Sequence, residues 1–331
     1  MFRTLPPSPQ TGIDTLAEAW LGAGATAVSI WKRQQLIRQW TPELPVDRPD
    51  FVTPVRIGTN RYAEMHISGF QMPGWSRLPN AGDTLETVRQ LLPSSTSQGW
   101  SQPAPAPQTS LPELDVFVAS RPALQVGGDY YDLIHESSGR VAFSVADVAG
   151  KGLAAAMYLP KLHRALRECL HSTAYATPDE LMGEFNRSVY PLFADTARFA
   201  TALLGCYDAD NRSVTFANAG HSPVIYRPAQ GEAQLLRADN IPLGILHRMA
   251  PIAHTITLGP GDMLLVATDG IAEARGRNGQ MFGFPRLLDL VNALAHERAQ
   301  RVVDKLFQQV SAFGSSNQDD DQTIMVLKGS A

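Results

Sequence analysis

Cysteine is scarce: Cys169 and Cys206 are the only two in 331 residues, too few for a disulfide framework. An excess charge of either sign is missing too. With 28 Lys and Arg against 32 Asp and Glu, the formal charge is −4. That leaves no electrostatic footprint for nucleic acid, and no run of Lys or Arg suits an anionic membrane. Long apolar runs are absent, since stretches such as residues 263–267 are far too short to span a bilayer. The first residues, Met1-Phe2-Arg3-Thr4-Leu5-Pro6-Pro7, lack the apolar core of a signal peptide. These absences predict a cytoplasmic protein with neither nucleic acid nor membrane among its partners. Apolar residues are plentiful at 44%, which permits a sizeable core. The length suits two domains, or one large domain with an extension.

A break in composition divides the chain. Residues 93–112 include Ser94-Ser95-Thr96-Ser97-Gln98 and Pro103-Ala104-Pro105-Ala106-Pro107. Such a stretch cannot bury a core and reads as an extended linker. It separates a small N-terminal region, residues 1–92, from a larger region, residues 113–331. In the first, residues 12–21 have helical spacing of Leu16, Ala19 and Trp20, with Asp14 as a cap. Residues 27–31, 36–40, 53–57 and 62–67 read as strands, and residues 84–92 as a second helix. No nucleophile, metal cluster or phosphate loop stands out there. The helix-plus-strands pattern is similar to a shortened GAF-type sensor; the other reading is a structural or dimerising appendage with no ligand.

In the larger region, strands are expected at 116–119, 130–134, 141–148, 199–207, 213–218, 224–226, 252–258, 263–268 and 323–328. A helix is expected over 152–169, bent by Pro160. A second starts at Thr177-Pro178-Asp179-Glu180, with a capping threonine, Pro at the first helical position and an acidic first turn. Two more are expected over 284–294 and 298–313. Many short strands with helix pairs predict an α+β fold of two packed sheets flanked by helices.

The most informative residues are aspartates in glycine-rich turns: Gly127-Gly128-Asp129, Asp147-Val148-Ala149-Gly150-Lys151-Gly152, Thr268-Asp269-Gly270 and Asp319-Asp320-Asp321. Each alone fits a plain turn or a solvated loop. Three of the four follow or adjoin strand-like apolar runs, which places carboxylates at strand ends. Several hard oxygen ligands at one point suit Mg²⁺ or Mn²⁺. Phosphate-ester hydrolysis at a two-metal centre needs acidic ligands and tight turns, and no activated side-chain nucleophile.

These residues resemble the PPM-type metal-dependent Ser/Thr protein phosphatases of the bacterial SpoIIE-like branch. The matching stretches run in order: Pro122-Ala123 with Val126-Gly127-Gly128-Asp129-Tyr130-Tyr131-Asp132; Asp147 to Gly152 with Ala154-Ala155; Phe199-Ala200-Thr201; Asn218-Ala219-Gly220-His221; Pro242-Leu243-Gly244; Thr268-Asp269-Gly270 with Glu273; and Asp320-Asp321-Gln322-Thr323. The resemblance implies a four-layer αββα sandwich holding two or more Mn²⁺ or Mg²⁺ ions at one end. It implies that Asp147 bridges the metals, that the Val148 carbonyl helps hold one, and that Asp269 and Asp320 hold the other. Asp129 would orient water at the metals or bind a metal directly. Asp321 sits beside the matching position and competes with Asp320 for that role. Asn218 and His221 belong to a family motif, His221 as a structural hydrogen-bonder or a general acid. The implied substrate is a phosphorylated protein, commonly a STAS-type anti-sigma-factor antagonist in a partner-switching pathway. The N-terminal region or the 84–92 helix would then mediate a homodimer or carry a signal to the helices after Asp147.

Departures exist. Ala149 and Ala154 stand where the family often has Ser and Pro. The phosphate-binding arginine of eukaryotic relatives has no evident counterpart, and Arg121, though near, is not assigned to it. Two rival readings remain. Cys206 to Arg212 has the Cys-x5-Arg spacing of cysteine phosphatases, but its loop has no glycine and carries two carboxylates, which would repel phosphate. A non-catalytic scaffold that binds metal or a partner is the second.

Overall fold

The computed structural model describes residues 110–330 apart from 125, 136–138, 173–176, 195, 197 and 315–317, and before them four strands with a few flanking residues. The N-terminal strands are β1 (Ala27–Lys32), β2 (Gln35–Gln39), β3 (Phe51–Gly58) and β4 (Arg61–Ser68). They form one antiparallel sheet in the order β2-β1-β4-β3. Most of the expected 12–21 helix, the whole 84–92 helix and residues 93–109 of the linker lie outside the described residues. The last linker residues, Ser110–Leu111, form a short strand β5 paired with β6 (Leu114–Arg121).

The larger region has two antiparallel sheets. One contains β7 (Asp129–His135), β8 (Val141–Val148), β9 (Ala200–Asp208), β10 (Ser213–Ala219) and β13 (Ala253–Thr257), in the order β13-β10-β9-β8-β7. The other adds β11 (Val224–Arg227), β12 (Gln234–Leu236), β14 (Met263–Ala267) and β15 (Gln322–Gly329), in the order β12-β11-β14-β15-β6-β5. Strand side chains alternate faces, and the cores follow that period. Val116 and Val118 of β6, Phe143 and Val145 of β8 and Val266 of β14 fill the space between the sheets. Phe117 and Ala119 of β6 face outward onto helices.

Helices α1 (Leu153–Ala156), α2 (Leu159–Ser172) and α3 (Pro178–Phe193) serve the five-stranded sheet. There Leu162, Leu166, Met182 and Phe185 pack on Ala146, Ala202 and Leu204. Helices α5 (Gly283–Ala293) and α6 (Ala299–Phe313) cover the six-stranded sheet through Leu287, Val291, Val303 and Phe307. A four-turn amphipathic helix gains its stability from burying such a face, since short helices alone are marginal in water. The layers are therefore helix, sheet, sheet, helix, as expected.

One local expectation is corrected, and two short elements are added to it. The single bent helix over 152–169 is two helices, because the chain turns at Met157 and Tyr158 and puts Pro160 in the first turn of α2, where a missing N–H costs no hydrogen bond. β12 is an exposed glutamine followed by two half-buried leucines, too short a run to show a strand period. A short helix α4 (Asp269–Ala272) follows directly on β14. The predicted helix start holds: the Thr177 backbone N–H donates to Glu180 Oε2 at 3.2 Å.

Candidate metal centre

The acidic motifs meet at one end of the sandwich. Asp129 opens β7 and Asp147 nearly closes β8, and the two are direct register partners. In the other sheet, β14 runs into Thr268 and Asp269, while residues 319–321 lead into β15. The Thr268 N–H donates to the Thr323 carbonyl at 3.0 Å, and the Thr323 N–H donates to Thr268 Oγ1 at 2.9 Å. These bonds hold the Asp269 and 319–321 turns side by side.

Asp129 joins the two sheets. Its Oδ2 accepts from Thr268 Oγ1 at 2.8 Å and from Thr323 Oγ1 at 2.6 Å, and Ser120 Oγ lies 2.8 Å from Thr323 Oγ1. Its Oδ1 is buried and has no hydrogen-bond partner. Asp321 and Asp320 separate clearly. Both Asp321 oxygens accept backbone N–H groups, from Ala123 and Gly128, each at 2.8 Å. A carboxylate so used fixes the 123–128 loop. A Cβ on Gly127 would stand 2.3 Å from the Asp321 Cγ, so only glycine leaves room for that contact. Asp320 is more open: Oδ1 accepts the Asp321 N–H at 3.0 Å and Oδ2 lies 2.8 Å from Lys151 Nζ. Lys151 also donates to the Asp319 carbonyl at 2.7 Å.

Burial and crowding raise the proton affinity of these acids. Asp147 is pushed up to about 8, first by burial, then by Asp269, Asp320 and Asp321. Asp129 is raised well above the carboxylate range by burial, then by Asp147 and Asp321. Asp321 rises to about 6, chiefly by burial, against the pull of its two N–H donors. Asp269 is raised by burial, then by Asp320 and Glu273. Mutual repulsion of this kind is the expected consequence of gathering carboxylates in a low-dielectric place.

Among the described residues no group of three or more His, Cys, Asp or Glu forms a ready-made ion cage. The donor set nevertheless fits a hard divalent cation. It consists of oxygens, it is short of positive charge, and it includes a buried carboxylate oxygen that no protein donor reaches. The Val148 carbonyl is beside it: a Cβ on Gly128 would come within 2.8 Å of that oxygen and 3.5 Å of Asp147 Oδ1.

Other expected residues fall elsewhere. Cys206 lies inside β9 and is buried, with a turn into β10 rather than a helix after it, and Arg212 donates to the Ser330 carbonyl at 3.1 Å. The turn between them presents the Asp208 carboxylate, which accepts the Asp210 and Asn211 N–H groups. A thiolate there would meet negative charge and no cradle of donors. The Arg121 guanidinium sits 4.0 Å over the Phe307 ring, on the outer helix layer. Sequence reasoning assigned no role to Lys151, Ser120, Thr268 or Thr323. The available signal was a threonine within two residues of an aspartate in both Thr268-Asp269 and Asp321-Gln322-Thr323.

The sandwich agrees with comparisons to known proteins. Residues 137–329 match the family described as Stage II sporulation protein E (SpoIIE). The chain belongs to the SpoIIE family. It is a protein phosphatase of the PPM type, a metal-dependent class. Phosphoserine phosphatase RsbU of Bacillus subtilis is 27% identical over 301 residues, covering 89% of this chain and 84% of that protein. Two further curated relatives are spanned over only 39% and 49% of their lengths. The solved SiaA-PP2C domain of Pseudomonas aeruginosa superposes with a TM-score of 0.57 at 23% identity, over 64% of this chain and 84% of that one. The RsbU and RsbW domains of Rv1364c from Mycobacterium tuberculosis give 0.57 at 24% identity, over 66% and 60%. At these identities the two structures speak to fold alone. Among the described residues, no helix is long and apolar enough to cross a membrane.

Proposed function

We propose that this protein hydrolyses phosphoserine or phosphothreonine on a regulatory partner protein, using two or more Mn²⁺ or Mg²⁺ ions at the acidic end. The observation that carries this is the gathering of Asp129, Asp147, Asp269, Asp320 and Asp321 where burial and repulsion push Asp147 up to about 8. In this reading Asp147, the Val148 carbonyl, Asp269 and Asp320 hold the ions, and Asp129 holds one or orients the water that attacks phosphorus. Divalent ions at such a centre supply Lewis acidity, which acidifies water and offsets charge on the phosphoryl oxygens. Asp320 suits a ligand better than Asp321, because Asp321 spends both oxygens on backbone N–H groups. Thr268 and Thr323 fix Asp129 through Oδ2 and leave Oδ1 for the centre. The side chains thus orient and exclude, and the acidic set is complete, which weighs against a purely scaffolding role.

The substrate in this reading is a phosphorylated STAS-type anti-sigma-factor antagonist in the cytoplasm, in keeping with the RsbU likeness along 89% of the chain. Residues 1–92 act as a regulatory and dimerising region, and residues 93–109 as its tether, since residues 110–111 already pair with β6. The test is hydrolysis of p-nitrophenyl phosphate and a phosphoserine protein with and without Mn²⁺, for wild type, Asp147→Asn and Cys206→Ser. Activity that requires Mn²⁺, survives Cys206→Ser and disappears in Asp147→Asn is the expected result. Metal-independent activity lost in Cys206→Ser would overturn it.

A further inference from the structure

His221 is buried and has no part in the mechanism above. It lies where the chain leaves β10 for β11, so it marks the crossing from one sheet to the other. Asn218 holds its backbone on both sides: Asn218 Oδ1 accepts the His221 N–H at 2.7 Å, and Asn218 Nδ2 donates to the His221 carbonyl at 3.0 Å. Gly220, at φ 72°, and the ring of Pro242 over it close the same turn. The Pro223 carbonyl then accepts the Ala267 N–H at 2.9 Å.

The imidazole bonds to one sheet, and the backbone two residues on, at Pro223, bonds to the other. Its Nδ1 lies 2.9 Å from Thr201 Oγ1 on β9. Thr201 is the register partner of Asp147 in the β8–β9 ladder. The imidazole Nε2 is buried and makes no hydrogen bond, although the Ala267 carbonyl favours the charged ring. Ala267 ends β14, two residues before Asp269. Burial outweighs that carbonyl and lowers the imidazole to about 4, so the ring is neutral at neutral pH. A neutral ring can accept at one nitrogen and donate at the other. With 1% exposure it touches neither solvent nor substrate.

We propose that His221, held by Asn218 and bonded to Thr201, is a positioning residue that sets the spacing between the strand end bearing Asp147 and the strand end bearing Asp269. The proposal rests on the metal-phosphatase reading, because it assigns those two carboxylates to one centre. Groups behind the ligands hold them in geometry, and losing one typically weakens metal binding about 10–100-fold.

The test is calorimetric Mn²⁺ binding to the full chain, with melting in EDTA measured in parallel, for wild type, His221→Ala, His221→Asn, Thr201→Val and the His221→Ala/Thr201→Val double variant. His221→Ala is expected to weaken Mn²⁺ binding by about 10–100-fold. His221→Asn, which can still reach Thr201, is expected to recover part of the loss. The double variant should lose no more than the worse single one, because both break the same link. Unchanged Mn²⁺ affinity alongside a lower melting temperature would reduce His221 to a packing residue and overturn the proposal. So would fully additive losses. Wild type that binds no Mn²⁺ would instead sink the metal reading itself; wild type that binds and hydrolyses while His221→Ala binds equally well would sink only this inference.

Discussion

Replacing Asp147 with asparagine should make the metal-free protein more stable while removing its activity. A carboxyl raised from 3.8 to about 8 in the native state keeps its proton where the unfolded chain has lost it. The unfolded state therefore binds fewer protons, and stability falls as pH rises from about 4 to about 8. At about 1.4 kcal/mol per pH unit, the full penalty approaches ~6 kcal/mol by pH 8. Asparagine still buries an amide, and water can reach a locally opened centre, so a third of that, about 2 kcal/mol, is the working figure. For a domain of this size, ~2 kcal/mol corresponds to a rise of about 4–8 °C in melting temperature. The assay is thermal melting in EDTA at pH 5.5, 7 and 8, repeated in Mn²⁺. The gap between Asp147→Asn and wild type should open with pH in EDTA. In Mn²⁺ at about a hundred times its dissociation constant, wild type should gain about 2.7 kcal/mol and the variant far less. A variant that melts lower than wild type in EDTA at pH 8, or a gap that does not grow with pH, would refute the electrostatic reasoning.

Three further outcomes are expected. His221 is lowered to about 4 by burial, so its contribution is intact above pH 6.5 and is lost as pH falls toward 4; the difference between wild type and His221→Gln in chemical denaturation should shrink by roughly 3 kcal/mol over that window. Gly127→Ala drives a methyl group into the Asp321 carboxylate and should cost about 1–3 kcal/mol, read by denaturant titration, with Mn²⁺ affinity falling as the 123–128 loop shifts. Cys206→Ala leaves Mn²⁺-dependent turnover unchanged, since its thiol is packed inside β9, and should cost only about 1 kcal/mol of stability; loss of turnover with folding intact would revive the thiol mechanism.

Much of the sandwich was legible from local pattern. Runs such as residues 141–148 and 263–267 are apolar on both faces, as strands buried between a sheet and a helix layer must be. Thr177-Pro178-Asp179-Glu180 announced α3 because capping chemistry is local. Residues 152–169 were misread because helical spacing persists across the Met157–Tyr158 turn, and nothing in periodicity marks a break. β12 was missed because three residues, though Leu235 and Leu236 pack against the cores, are too few to show a period.

The centre divides the same way. The sequence by itself determined which residue types are available, since aspartates in turns recur at four places, three of them adjoining strand-like apolar runs. It could not say which of Asp320 and Asp321 accepts the Ala123 and Gly128 N–H groups, almost two hundred residues away. Nor could it show that Thr268 and Thr323 clasp Asp129, or that His221 bonds to Thr201 while Pro223 bonds to Ala267. Those pairings join two separate sheets. Hydrogen-bond geometry between distant segments is set only when both sheets have packed, and the charge repulsion that raises Asp147 exists only once they have.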